Sequence, residues 1–340
     1  MQYLIKIIKI AKPYWGYLIL SVVSLLSITG LNLLGPWLIR SLIGIITNIT
    51  QNPEAQQDIL KLSFLLILSY IGGIFFQFLR SYYSHYAAWH LVADVRMMVY
   101  DKLQKLSFRY FLDKQTGQLM SRVVNDTANL EMLIAHAVPD LLSNLLILIG
   151  VATILFVINP ALASLSLIPI PFLLLSGTLF AKKIMPVFRR AQKAIADLNA
   201  DLQDNLSGIR EIQLFNKQEK EYEKIKDKVY KHINSLLSAL KLSAIFHPTV
   251  GFLSSLGTLI VVSIGGIMAL RGKILVQDIV GFLLYLGMFY QPINALSQII
   301  KNIQQALAGA ERVFEVLETE PEIKEKEGAV ELKNVKGKIT

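Results

Sequence analysis

Residues 141–180 read LLSNLLILIGVATILFVINPALASLSLIPIPFLLLSGTLF, a run without one charged side chain. A hydrocarbon core of about 30 Å takes roughly 20 residues of helix, so this run holds two spans, 141–158 and 161–180. Asn159-Pro160 between them is too short for anything but a tight turn, which makes the two helices antiparallel. Four further stretches pass the same length test: 17–46, 59–78, 249–270 and 279–299. The first is no cleavable signal, being too long and lacking an A-x-A exit.

Composition points the same way. A chain of 340 residues would ordinarily suggest two soluble domains, yet 53% of this one is hydrophobic and only 17% charged. A soluble core does not need that much apolar surface; a set of membrane spans does. Cysteine is absent, which removes disulfides and thiolate metal sites. The net charge of +9 has a topological reading, because no zinc pattern or aromatic-plus-basic ribbon accompanies it, so nucleic acid is not expected as a partner. Of the 34 lysines and arginines, 29 fall in residues 1–16, 89–138, 181–244 and 301–340. The alternate connections carry only Arg271 and Lys273. The positive-inside rule then places both termini in the cytoplasm of a multi-pass protein of the cell (inner or plasma) membrane.

The long basic segments are not loops. Leu91, Val95, Met98, Val99, Leu103, Leu106 and Tyr110 recur at helical steps, as do Ile195, Leu198, Leu202, Leu206, Ile209 and Ile212, and later Ile225, Val229, Ile233, Leu236 and Leu240. Spans two to five should therefore continue as helical stalks (79–140 and 181–248), the stretch from Ile59 to Tyr110 reaching roughly 75 Å. Two breaks mark the stalk tips. Around Asp113-Lys114-Gln115-Thr116-Gly117, Asp113 suits a helix N-cap and Thr116-Gly117 a restart, giving a short helix across the end of a hairpin. Gly208 interrupts the second stalk before Phe215-Asn216-Lys217-Gln218-Glu219.

On these residues the sequence resembles the ATP-binding-cassette (ABC) exporter half-transporters, a group that includes multidrug exporters and lipid A flippases. Phe108 to Asp126, with DK-x-x-G and SR-x-x-x-D elements, looks like the first coupling-helix segment, and Gly208 to Glu219 the second. Leu270 to Lys273 with Asp278 to Phe282 resembles the entry to the sixth span, and Ala310 to Leu317 with Pro321-Glu322-Ile323 the exit toward a nucleotide-binding domain. Lys336 to Thr340 is similar to that domain's first strand, and no G-x-x-x-x-G-K-[ST] loop occurs before it. The resemblance implies an all-α membrane protein of the type IV exporter fold. Residues 1–16 form an interfacial elbow helix, 17–317 a six-helix domain, and 318–340 a linker into a missing nucleotide-binding domain. It further implies a domain-swapped homo- or heterodimer exporting hydrophobic or amphipathic drugs, lipids or peptides by alternating access. ATP and magnesium are expected only on the missing domain, so this chain is no ATPase by itself and binds no cofactor.

The residues expected to couple to nucleotide-binding domains are Asp113, Lys114, Gln115, Thr116, Gly117, Phe215, Asn216 and Glu219. Those expected at a substrate cavity are Arg80, Asn32, Asn144, Tyr285, Gln291, Asn294 and Gln298, because polar groups at membrane depth either bond neighbouring helices or face water. Arg80 matches a cavity arginine of the lipid A flippases, while Ser143 and Gln291 stand at other basic positions of those proteins. Arg40 reads as an interfacial charge, and Tyr14 and Trp15 as interfacial anchors. His85, His90, His136, His232 and His247 show no ligand spacing, so no metal is expected. Asn48-Ile49-Thr50 is formally a glycosylation sequon. An ATP-independent carrier would put acidic pairs or broken helices inside the spans, and the apolar cores hold no Asp or Glu beyond Asp140 at an edge. A dimeric membrane scaffold without transport is the other alternative.

Overall fold

The computed structural model describes residues 2–48, 53–112 and 114–322, with Gly328 and Gly337. Asp113, part of the sequon and nearly all of 323–340 lie outside the described residues. Every regular element among the described residues is helical. In order come α1 (Gln2–Ile10), α2 (Trp15–Thr47), α3 (Ala55–Lys105), α4 (Phe108–Leu112), α5 (Thr116–Ser121), α6 (Thr127–Glu131) and α7 (Val138–Ile158). They are followed by α8 (Pro160–Ser166), α9 (Pro169–Ser207), α10 (Ile209–Leu214), α11 (Gln218–Leu270) and α12 (Val276–Glu318). Two π-helical segments, Arg122–Asp126 and Met132–Ala137, join α5, α6 and α7 into one continuous rod.

Among the described residues, five helical runs are long and apolar enough to cross a membrane: Lys12–Thr47, Ala55–Lys105, Thr116–Ile158, Pro160–Ser207 and Gln218–Leu270. Their apolar windows are only 6–28% buried. Side chains such as Phe64, Ile74, Phe78, Ile149 and Val157 stand exposed, the reverse of a soluble protein and the arrangement lipid requires. The stretch expected as the sixth span lies inside α12, which stays helical through Pro292.

The residues fall into two compact units. The first comprises Met1–Leu42, Glu54–Gly150 and Asn294–Thr340. Its core is built where α3, the α6–α7 rod and the end of α12 meet: Leu91, Val92, Val95 and Val99 pack with Leu130, Leu133 and Ala137, and with Ala306, Ala310, Val313 and Phe314. The elbow helix α1 joins this core through Ile7 and Ala11, stacks Tyr3 on Phe314 at 5.7 Å, and pairs Lys6 with Glu318. Ile5 and Ile8 of the same helix stay about half exposed.

The second unit is Ile43–Pro53 with Val151–Ile293. Its long axis is the hairpin of α9 and α11, which pack along one another. Small buried residues, Ala191, Ala194 and Ala239, let the two rods approach closely, and Phe180 stacks on Phe246 at 3.8 Å. Gly257 has a specific duty here, because a Cβ would collide with the Tyr290 hydroxyl. The Asn159-Pro160 link is built as its composition dictates: the Asn159 side chain accepts from the Leu162 N–H at 2.9 Å, and Pro160 opens α8.

One expectation needs correction. The helix running out of the second span ends at Lys105, not Tyr110, because Leu106 turns to extended backbone (ψ 148°) and its side chain is buried. The fourth span lies within the continuous run Pro160–Ser207; its α-helical bonding is interrupted at Leu167–Ile168, since Pro169 and Pro171 offer no N–H to the ladder. The helix after the first tip begins at Thr116, with Gln115 at its N-cap; the cap reading of Asp113 lies outside the described residues.

Asn159→Ala should lower stability by about 1 kcal/mol through loss of the cap, read as a lower unfolding midpoint of the solubilised protein, with Asn159→Asp close to wild type. Equal midpoints for all three would show that the cap bond contributes nothing.

Candidate functional site

Three features of the helical ends bear on function: two tips and a charged clamp. At the second tip, α10 closes in a Schellman turn. Asn216 takes a left-handed conformation (φ 49°), the Lys217 N–H donates to the Ile212 carbonyl at 2.9 Å, and the Asn216 N–H donates to that of Gln213 at 3.2 Å. Asn is among the few residues that tolerate this conformation. The turn holds Leu214 and Phe215 out into solvent, 81% and 72% exposed, with Asn216 and Glu219 exposed beside them. A rigid turn thus presents two bare apolar side chains.

Below this tip, Asp201 of α9 lies 3.0 Å from the Lys228 ammonium and 3.7 Å from Lys224, both of α11. The Lys228 hydrogen bond, helped by the Lys224 charge, holds the Asp201 carboxyl below its ordinary value.

The first tip is less regular. Lys114 places its ammonium 3.6 Å from the centre of the Tyr110 ring. Gln115, Thr116 and Gly117 are exposed at the start of α5, and a Cβ at Gly117 would meet nothing. Arg109, just before the tip, pairs with Glu322 at 3.4 Å, so the chain leaving α12 runs past this tip.

Between tip and core sits the clamp. Arg312 Nε and Nη2 donate to Asp126 Oδ2 and Oδ1 at 2.8 and 2.6 Å, a bidentate fork. One turn away, Arg122 and Glu315 pair at 3.0 Å. The two pairs run in opposite directions along antiparallel helices, acid and base alternating on each. Gly309 permits the close approach, since a Cβ would lie 3.1 Å from both the Asn129 side chain and the Asp126 carbonyl. The Asp126 side chain is only 6% exposed and the Arg312 side chain 46%. Sequence reading quoted these residues inside family motifs without giving them a site. The signal was there: Arg122 and Asp126 stand four apart, Arg312 and Glu315 three apart, both same-face spacings.

The expected cavity residues are scattered. Arg80 donates to Asp140 at 2.6 Å, an ion pair between α3 and α7, and its own carbonyl accepts from Ser21. Asn144 donates back to the Asp140 carbonyl at 2.7 Å. Asn32 and Gln291 are exposed. Tyr285 is fully buried and offers no surface in this conformation. The side chains of Asn294 and Gln298 lie outside the described residues, although their backbone is part of α12. Arg40 stacks over Trp37 at 4.8 Å.

The family model for the ABC transporter transmembrane region matches residues 18–293. The chain belongs to that family. It is 29% identical over 284 residues to the uncharacterized ABC transporter ATP-binding protein YknV of Bacillus subtilis, covering 84% of this chain and 46% of that protein. It is 27% identical over 334 residues to an ATP-dependent lipid A-core flippase of Syntrophus aciditrophicus, covering 98% and 55%. It is 30% identical over 251 residues to a fatty acid ABC transporter ATP-binding/permease protein of Mycobacterium bovis, covering 71% and 39%. The chain thus spans about half the length of these relatives.

Two outcomes test this geometry. Arg312→Ala strands a near-buried carboxylate and should cost about 2 kcal/mol, below the 3–5 of a fully buried pair because Arg312 is half exposed. Glu315→Ala removes the exposed partner of the second pair and should cost under about 1 kcal/mol. Unfolding midpoints reversing that order would contradict the clamp. For Asp201, whose carboxyl is depressed on folding, the Lys228 pairing stabilises the hairpin above the ordinary carboxylate range. That contribution fades as pH falls through the lowered value. Amides near Asp201 and Lys228 should therefore exchange faster on acidification in wild type, and Asp201→Asn should flatten the change.

Proposed function

We propose that this chain is the membrane-spanning, substrate-translocating and coupling module of an ATP-driven exporter or flippase. It works by alternating access, in a homo- or heterodimer, with both termini cytoplasmic. The observation that carries the reading is the exposed Leu214–Phe215 pair, held on a Schellman turn at the far end of the α9–α11 hairpin. At 1.5 Å per residue the 53 residues of α11 run about 80 Å, far more than a bilayer needs. A helix of that length delivers a push at its tip to its lipid-embedded end, where it biases a two-state equilibrium. The partner surface belongs to a nucleotide-binding domain, which would hold ATP and magnesium.

The clamp supplies the second connection. Fixing α12 to the rod behind the first tip makes that tip and the exit toward the ATPase domain move together. The relatives include a lipid A-core flippase and a fatty acid transporter, which favours amphipathic substrates. Arg80 could meet an anionic headgroup only in competition with Asp140, so we place the substrate's main contacts on apolar surface, with Asn32 and Gln291 as accessible polar groups.

In the full-length transporter, Leu214→Asp with Phe215→Asp should cut transport about tenfold or more, the loss of one good apolar anchor. The unfolding midpoint should hold, because neither side chain is packed. Unchanged transport in the double variant would remove the second tip from coupling.

A further inference from the structure

The structure brings together three side chains that the sequence keeps apart: His85 on α3, Glu131 at the end of α6, and His136 in the π-helical segment Met132–Ala137. His85 Nδ1 lies 2.8 Å from Glu131 Oε1, and His136 Nε2 lies 3.7 Å from the same oxygen. All three ligand atoms fall within 4.8 Å of one another. The imidazole rings stand edge to face at 4.9 Å. We propose that His85, Glu131 and His136 form a binding site for one divalent transition-metal ion, zinc foremost, with water completing the coordination.

The donor set argues for the class of ion. Two imidazoles and a carboxylate suit zinc, cobalt or nickel, whereas calcium and magnesium require oxygen ligands. Tetrahedral bonds of about 2.0–2.2 Å separate neighbouring ligand atoms by roughly 3.4 Å; the observed 2.8 and 3.7 Å lie near that, and the third separation, within 4.8 Å, would have to close by side-chain rotation. Glu131 is mostly shielded while both histidines are partly open to water, leaving an entry path.

The backbone argues independently. Residues five apart on an α-helix point roughly 140° apart, because each residue turns 100°. In a π-helical turn the i to i+5 hydrogen bond places the fifth residue one turn above the first, which carries His136 round to Glu131. The wide turn is held from the side by Ser84, whose hydroxyl donates to the Ala135 carbonyl at 3.3 Å. A bound ion would tie α3 to the rod one level beyond the Arg80–Asp140 pair, at the edge of the apolar spans.

The test uses the full-length transporter in nanodiscs with any polyhistidine tag removed. Zinc chloride titrated against a fluorescent chelator should show one tight equivalent per chain. His85→Ala and His136→Ala should each weaken it about tenfold or more, the least a lost direct ligand should cost, while His90→Ala and His232→Ala should not. Cobalt should give visible absorption of a tetrahedral site. If either variant fails to fold, zinc should still protect His85 and His136 of the wild type, but not His90, from diethyl pyrocarbonate, mapped by mass spectrometry. Absence of a stoichiometric zinc, full affinity in both folded variants, or equal modification with and without zinc would overturn the site, leaving a metal-free His–Glu–His hydrogen-bond cluster.

Discussion

The Asp126 carboxylate sits almost entirely out of water, and the Arg312 fork is what makes that tolerable. An unpaired charge at that depth would shift its protonation or force the helices apart. Everything around it follows from keeping the pair closed. Gly309 lets the end of α12 approach the rod, Ala306 and Ala310 continue the seam, and Val313 and Phe314 complete an apolar floor that also takes Ile7 and Ala11 of α1. The pair need not add much net stability. Its value is register: a bidentate fork fits one alignment of two helices, and a slip by one turn would bury two unpaired charges. Long rods can transmit motion only if their mutual register is fixed.

Much of this was legible in the sequence, because lipid leaves few choices. Uncharged runs of 18 or more residues must be helices there, and the helical period of Leu91, Val95 and Val99 carried the pattern past the membrane into stalks. Asn159-Pro160 announced its own geometry. The misses have equally physical causes. Periodicity says that apolar residues recur, not where backbone hydrogen bonding stops, so the break at Leu106 was hidden inside a continuing pattern. Pro169 and Pro171 were read as members of an apolar run when their missing N–H groups divide it.

Site residues were less readable than the fold. Phe215, Asn216 and Glu219 were read as a tip and stand exposed, yet nothing in the spacing foretold that Leu214 is more exposed than Phe215. Polarity at membrane depth suggested Tyr285 as cavity lining, and packing buried it. Arg80 was read alone because its partner Asp140 lies sixty residues on. The histidines showed no ligand spacing in the sequence, and only the fold brings His85 to Glu131 and His136. In each case the missing information was a contact between distant segments.

The central claim is that the stalks behave as rigid rods within the assembled transporter. Hydrogen–deuterium exchange of the full-length protein in lipid nanodiscs, with and without a trapped nucleotide state, measures that directly. The account predicts slow amide exchange through residues 86–104 and 220–246 in both states, with changes confined to the tips and the chain after Glu318. Rapid exchange along either rod in any state would mean that no thrust can pass from tip to bilayer, and the coupling mechanism would fail.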